Sequence, residues 1–173
     1  MAEPATSAAE VLVLGIGNTL MGDEGVGCHA VRLLEDMELP VGVECLDGGT
    51  GSFQLLEPLL RAGRVIMIDA TADGAPAGTV RRLRPRFSSD YPPTLTAHDI
   101  GLKDLMDVFY LVDEPVDVTL YTVSIELPDD VGLDLSPEVT AGARAAAEQI
   151  LEELNGADHV APENPMPAAR PGR

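Results

Sequence analysis

Val11-Leu12-Val13-Leu14-Gly15-Ile16-Gly17-Asn18-Thr19-Leu20-Met21-Gly22-Asp23-Glu24-Gly25-Val26-Gly27 is the stretch that decides the fold. Residues 11–14 form a short continuous apolar run, half of it β-branched, that stops at Gly15; this reads as a buried strand. Residues 15–22 are a glycine-punctuated loop. Asp23 then precedes a helix whose apolar positions, Val26, Ala30, Leu33, Leu34 and Met37, recur at helical spacing, with Pro40 beyond its end. A strand, a glycine loop and an amphipathic helix make the opening unit of an α/β chain.

The unit repeats downstream. Residues 41–46 read as a second strand, closed by Asp47-Gly48-Gly49-Thr50, and Phe53, Leu56, Leu59 and Leu60 give a short helix before Gly63. The third strand, 65–68, is the most apolar and ends on Asp69. Residues 79–83 suit an edge strand and 86–94 are irregular. Leu102, Leu105, Met106 and Phe109 suggest another helix, and 116–125 is a long β-type run. Ser136-Pro137 opens the last helix as N-cap and first helical residue, with a stripe at Val139, Ala143, Ala146, Ile150 and Leu154. The βαβαβ order predicts right-handed crossovers and a single α/β domain over 10–155: a twisted, mostly parallel sheet with helices on both faces. Residues 1–9 read as a flexible arm and 156–173 as a disordered, Pro-rich tail.

Composition agrees with one domain. A chain of this size buries roughly 68–70% of its unfolded surface, and 45% of its 173 residues are hydrophobic. Aromatics are scarce and Trp is absent, so the core must be aliphatic, as in sheets covered on both faces. The formal charge of −18 argues against nucleic acid and anionic membranes as partners. Cys28 and Cys45 are too few for a disulfide scaffold and read as small buried residues. No apolar run reaches the ~20 residues of a membrane span, and the first ten residues lack the features of a signal peptide. A soluble, cytoplasmic monomer is the default expectation.

Sites in open α/β sheets form at the carboxyl ends of the strands. The first strand here leads to Asp23 and Glu24, the second ends at Asp47, and the third at Asp69. His98 follows the irregular segment and is the best imidazole candidate, since His29 lies on the first helix and His159 in the tail. Two carboxylates and an imidazole converging would suit a borderline divalent cation such as nickel, zinc or iron. They would also suit activation of water for hydrolysis. Each residue has a structural alternative. Asp23 and Glu24 suit helix capping, Asp47 a turn, Asp69 a turn after the strand, and His98 a solvated loop. An Asp directly after so apolar a strand is nonetheless costly to bury without a partner. A dinucleotide site is disfavoured because Leu20 stands where G-x-G-x-x-G needs its third glycine, and neither a P-loop nor G-x-S-x-G is present.

Residues 15–27, Asp47-Gly48-Gly49-Thr50, Ile68-Asp69-Ala70 and His98-Asp99-Ile100-Gly101-Leu102 together resemble, in order and separation, the motifs of the nickel-iron hydrogenase maturation endopeptidases, peptidase family M52. The likeness runs from about Val11 to Leu154. It implies a phosphorylase/hydrolase-like α/β fold. It also implies an aspartic-type or metal-associated endopeptidase that removes the C-terminal extension of a hydrogenase large-subunit precursor after nickel insertion. Carried over by motif, Glu24, Asp69 and His98 are the metal and catalytic residues, with Asp23 supporting the loop. Asp47, Gly48, Gly49 and Thr50 line the substrate cleft. Nickel would arrive with the precursor, and other divalent cations would substitute in vitro. A non-cleaving nickel or precursor binding module, and a metal-dependent hydrolase of small molecules, are the competing expectations.

Overall fold

The computed structural model describes residues 10–51, 53–95, 106–107, 109–110, 117–128 and 130–156. The predicted terminal arm and tail lie outside these, apart from Gly156. Strands β1 (Val11–Ile16), β2 (Val43–Gly49), β3 (Arg64–Thr71), β4 (Val80–Leu83) and β5 (Asp117–Ser124) form one sheet in the order β2-β1-β3-β5-β4. Pairing is parallel throughout except for β4, which closes one edge antiparallel to β5. Helices α1 (Val26–Glu35), α2 (Leu56–Arg61) and α3 (Pro137–Leu154) complete the described domain. The single α/β domain with a mostly parallel sheet is therefore as expected.

Alternation along the strands divides the core into two layers. Val13, Ile66, Ile68, Tyr121 and Val123 face α1 and α3, packing on Val26, Ala30, Leu34, Ala143, Ala146 and Ile150. Leu12, Leu14, Ile16, Val65, Met67 and Leu120 face the other way, onto Leu59 of α2 together with Leu95, Met106 and Phe109. The expected helix around Met106 is represented by residues 106–107 and 109–110, which are helical, with Met106 and Phe109 buried. Among the described residues no helix is long and apolar enough to cross a membrane.

Four local expectations change. β1 runs on through Ile16, and β3 runs two residues beyond Asp69, because β5 pairs with it as far as Thr71↔Ser124. Asp69 is thus a strand residue facing Thr122 across the sheet rather than a turn residue. Asp47-Gly48-Gly49 belongs to β2, and the register slips there, with Gly15 opposite Asp47 but Ile16 opposite Gly49. Gly48 is therefore the extra residue of a bulge, the kind of irregularity that re-aims a strand end. Finally, α1 begins only at Val26, after a 3₁₀ turn over Gly22–Gly25.

Gly15 and Gly27 explain how α1 gets so close to the sheet. A Cβ on Gly27 would lie 2.2 Å from the Ile16 carbonyl oxygen and 2.3 Å from that of Ile68. One on Gly15 would lie 2.3 Å from the Gly27 carbonyl oxygen. All these neighbours are backbone, so α1 would have to lift off the strand ends. Gly27→Ala is expected to cost about 1–3 kcal/mol as overpacking. That lowers Tm by roughly 5 °C for a domain of this size, measurable by differential scanning calorimetry.

Candidate active site

The glycine loop folds back over the end of β1. Gly17, in the left-handed half of backbone space at φ 148°, has no room for a Cβ, which would lie 2.1 Å from the Glu24 carbonyl oxygen. The Gly17 amide donates to the Gly49 carbonyl oxygen at 3.0 Å, joining the first loop to the β2 bulge. Asn18 Oδ1 accepts from the Leu20 amide at 3.1 Å, and the Met21 amide donates to the Asn18 carbonyl at 3.0 Å, an Asx-type turn. The loop is held on its outer side by a second segment: the Gly22 amide donates to the Gly132 carbonyl at 2.6 Å, and the Gly132 amide to the Leu20 carbonyl at 3.0 Å.

Asp23 has a tethering role. Its Oδ1 accepts from the Ser136 amide at 2.6 Å, and no side chain caps α1. The capping alternative for Asp23 thus gives way to one consistent with loop support. Ser136 is itself the N-cap of α3, as expected, and its hydroxyl accepts from the Val139 amide. Asp23 therefore fixes the start of α3 to the loop that carries Glu24.

Glu24 is half-buried on the 3₁₀ turn, which packs against β3. Asp69 is fully buried. Its Oδ1 accepts from the Ala70 amide at 2.8 Å. Gly27, three residues after Glu24, abuts the Ile68 carbonyl, so turn and strand meet beside Asp69. His98 lies outside the described residues, but the chain leading to it is anchored here. Leu95 pairs antiparallel with Thr71, the Ala72 amide donates to the Thr94 carbonyl at 2.9 Å, and the Thr71 and Thr94 hydroxyls lie 2.8 Å apart. This Thr71–Thr94 clasp carried no sequence signal. Among the described residues no three His, Cys, Asp or Glu side chains gather as a metal-ligand set.

Asp47 sits elsewhere. It occupies the α1 face of the sheet, pairs with Arg32 at 2.8 Å, and accepts from the Gly49 amide at 3.1 Å. Burial works to raise its pKa, yet contributions from Cys28, Arg32 and the Gly49 amide hold it below the usual range. Gly48 is packed, since a Cβ there would meet Leu14 Cδ1 at 2.8 Å, whereas Gly49, at φ 52°, faces open space. Thr50 is exposed. Asp47 and Gly48 thus shape the bulge, while Gly49 faces open space and Thr50 is exposed beyond it.

The thiols are not nucleophiles. Cys28 is fully buried under the loop, its Sγ 3.5 Å from the Gly17 carbonyl oxygen, and burial pushes its pKa to about 12. Burial likewise raises Cys45 to about 11. Burial and the Arg32 charge lower His29, keeping its imidazole neutral at pH 7. Native protein treated with iodoacetamide at pH 8 is expected to show no alkylation of Cys28 by peptide mass mapping while glutathione in the same tube reacts fully.

An open, mostly parallel sheet with acidic side chains at its carboxyl ends is the setting in which α/β proteins build their sites. The model of the hydrogenase maturation protease family matches residues 28–153. The hydrogenase 2 maturation protease of Escherichia coli is 36% identical over 149 residues, covering 83% of this chain and 90% of its own. The hydrogenase expression/formation protein HupD of Thiocapsa roseopersicina is 33% identical over 154 residues, covering 86% and 69%. Among solved structures, the hydrogenase maturating endopeptidase HybD from E. coli superposes with a TM-score of 0.73 at 32% identity, over 84% of this chain and 92% of that one. The HybD protease of Thermococcus kodakarensis gives 0.69 at 28% identity, over 84% and 99%. The chain belongs to the hydrogenase maturation protease family, and is a hydrolase of the endopeptidase type.

Proposed function

We propose that this protein removes the C-terminal extension of a nickel-iron hydrogenase large-subunit precursor once nickel is in place, acting in the cytoplasm as a monomer. The observation that supports the site assignment is the buried Asp69 on β3, the strand against which the Glu24 turn packs and with which Leu95 pairs. Leu95 is three residues from His98, a reach of about 10 Å for extended chain, which keeps an imidazole within range of that strand end. Glu24, Asp69 and His98 form an O,O,N donor set that suits nickel or another borderline divalent cation. In this reading nickel is part of the substrate, and the three residues sense it there. The extended peptide lies along Gly49, where a Cβ would meet nothing within 4 Å, and the exposed Thr50.

Glu24 is the general base. It is the half-buried carboxylate of the two, so water and the scissile bond reach it more readily than Asp69. It takes a proton from the water that attacks the scissile carbonyl carbon, and the same proton passes to the departing amine as the C–N bond breaks. Glu24→Gln is expected to lower kcat on the nickel-loaded precursor about 10²–10⁴-fold. Single-turnover cleavage assays check this, and full activity in the variant would remove Glu24 from the base role.

A further inference from the structure

Asp69 lies in a row of side chains that crosses the sheet. Directly paired residues of neighbouring strands present their side chains on the same face. Asp69 of β3 is opposite Thr122 of β5, and Thr122 is opposite Arg81 of β4. The packing on either side of the row agrees. Met67, Leu120 and Leu83 lie in the α2-side core, one pair below, whereas Arg82 reaches Glu153 on the other face. Arg81 therefore stands on the face of Asp69, two strand spacings away, about 10 Å between backbones. Its guanidinium is drawn toward the carboxyl end of the sheet, because Nη1 donates to Oδ2 of Asp73, two residues beyond the end of β3. Asp73 is itself fixed, its Oδ1 accepting from the Ala75 amide at 3.0 Å. The Asp73 side chain is 13% exposed and that of Arg81 51%, so the cation rather than its partner faces outward. One contact to Asp73 leaves most of the five guanidinium N–H donors for another acceptor.

The other charges that bear on this end of β3, from Glu24, Asp69 and Asp73, are acidic. Arg32 is committed to Asp47 on the α1 face, and Arg64 and Arg82 to Glu153 at the far end of the strands. A carboxylate brought here by a substrate is repelled by the acidic groups and attracted at Arg81, where the planar fork matches carboxylate geometry. We infer that Arg81 is a specificity-determining residue that binds an Asp or Glu side chain of the hydrogenase precursor within about five residues of the scissile bond; this rests on the function proposed above. The window follows from the sheet. The order β2-β1-β3-β5-β4 puts Asp69 midway between the Gly49 bulge and Arg81, so a peptide that starts at Gly49 passes Asp69 before it reaches the guanidinium. About five residues of extended chain span roughly 16 Å, enough for the backbone separation and the reach of both side chains. The bland alternative is that Arg81 only blunts an edge strand, as charged residues commonly do, and a substrate change tells the two apart.

The test uses nickel-loaded cognate precursor with wild type, Arg81→Gln and Arg81→Lys, measuring Kd by biolayer interferometry, cleavage by steady-state kinetics, and Tm. Gln can still donate to Asp73 and lacks the charge, so it isolates the cation. If Arg81→Gln melts early, Arg81→Met, which keeps the aliphatic stem, replaces it. KM and Kd are expected to rise about tenfold or more in Arg81→Gln, with kcat changed far less, and Arg81→Lys is expected to recover part of the loss. On the substrate side, each Asp or Glu in the window is changed to its amide. One such change should raise KM for wild type by a similar factor and add nothing for Arg81→Gln, the signature of a direct pair. Unchanged KM and Kd in Arg81→Gln, or losses that multiply when enzyme and substrate changes are combined, would overturn the contact and leave the protease assignment standing. Wild-type binding without any cleavage would overturn the protease assignment, and the Kd comparison would still decide Arg81. Absence of both binding and cleavage in wild type would remove both readings.

Discussion

Asp69→Asn is expected to lower precursor cleavage at least 100-fold while leaving Tm unchanged or slightly raised. The side chains are isosteric, and the amide oxygen of Asn can still accept from the Ala70 amide as Asp69 Oδ1 does. What disappears is negative charge at a position with no solvent exposure. Desolvating a carboxylate is costly, and the isosteric amide keeps the packing around the position. Catalytic sites accept such costs where function requires them. The control is Asp47→Asn, which breaks a surface pair with Arg32 worth about 0–1 kcal/mol, on a strand separated from that of Asp69 by β1. Calorimetry beside a cleavage assay reads both effects. An Asp69→Asn protein that unfolds would make Asp69 a structural residue.

The second large effect lies at the opposite end of the sheet. Glu153, 8% exposed on α3, accepts Tyr121 Oη at 2.6 Å and a two-pronged contact from Arg82 at 2.8 Å, and Arg64 at the start of β3 pairs with it as well. Removing the Glu153 carboxylate takes the shared acceptor from Arg82 and Tyr121, while Arg64 keeps Asp117; breaking a buried charge network in this way costs about 3–5 kcal/mol. Glu153→Ala is therefore expected to lower Tm by roughly 10 °C or more, with cleavage at 20 °C retained because the site is at the other end of the strands.

The same carboxylate gives a pH signature. Burial alone raises its pKa, but hydrogen bonds from Arg82 and Tyr121 and the charges of Arg82 and Arg64 bring it from 4.5 to about 2. A folded-state pKa below the unfolded value means stability that is fully present above pH ~4.5 and lost as pH falls toward 2. The amount is about 3 kcal/mol. Melting curves between pH 6 and 2.5 should show a steeper loss for wild type than for Glu153→Gln. Parallel curves would deny the network that role.

Sequence reading located the strands and helices because each carries its own period: the apolar run at 65–68 and the stripe from Val139 to Leu154 need no distant partner to be recognised. It failed where a distant partner decides. β3 outruns its apolar run because β5 and Leu95 pair with Asp69-Ala70-Thr71. Asp23 looks like a helix cap in sequence and instead binds an amide 113 residues away. Glu153, beside Leu154, reads as an ordinary charged helix residue, since its arginines lie on β3 and β4. Asp47-Gly48-Gly49-Thr50 reads as a turn, and only the register with β1 shows the bulge. For the proposed site, Glu24 and Asp69 were legible as acidic residues following apolar strands, and His98 was chosen by elimination among three histidines. The clasp that anchors the His98 segment was not, because two threonines 23 residues apart carry no pattern.

The intact mass of a cognate large-subunit precursor, incubated with this protein with and without nickel in the precursor, tests the central claim most directly. The account predicts loss of one C-terminal peptide from the nickel-loaded form alone. A loaded precursor whose mass does not change would contradict the protease assignment, and equal trimming of both forms would contradict nickel sensing by Glu24, Asp69 and His98.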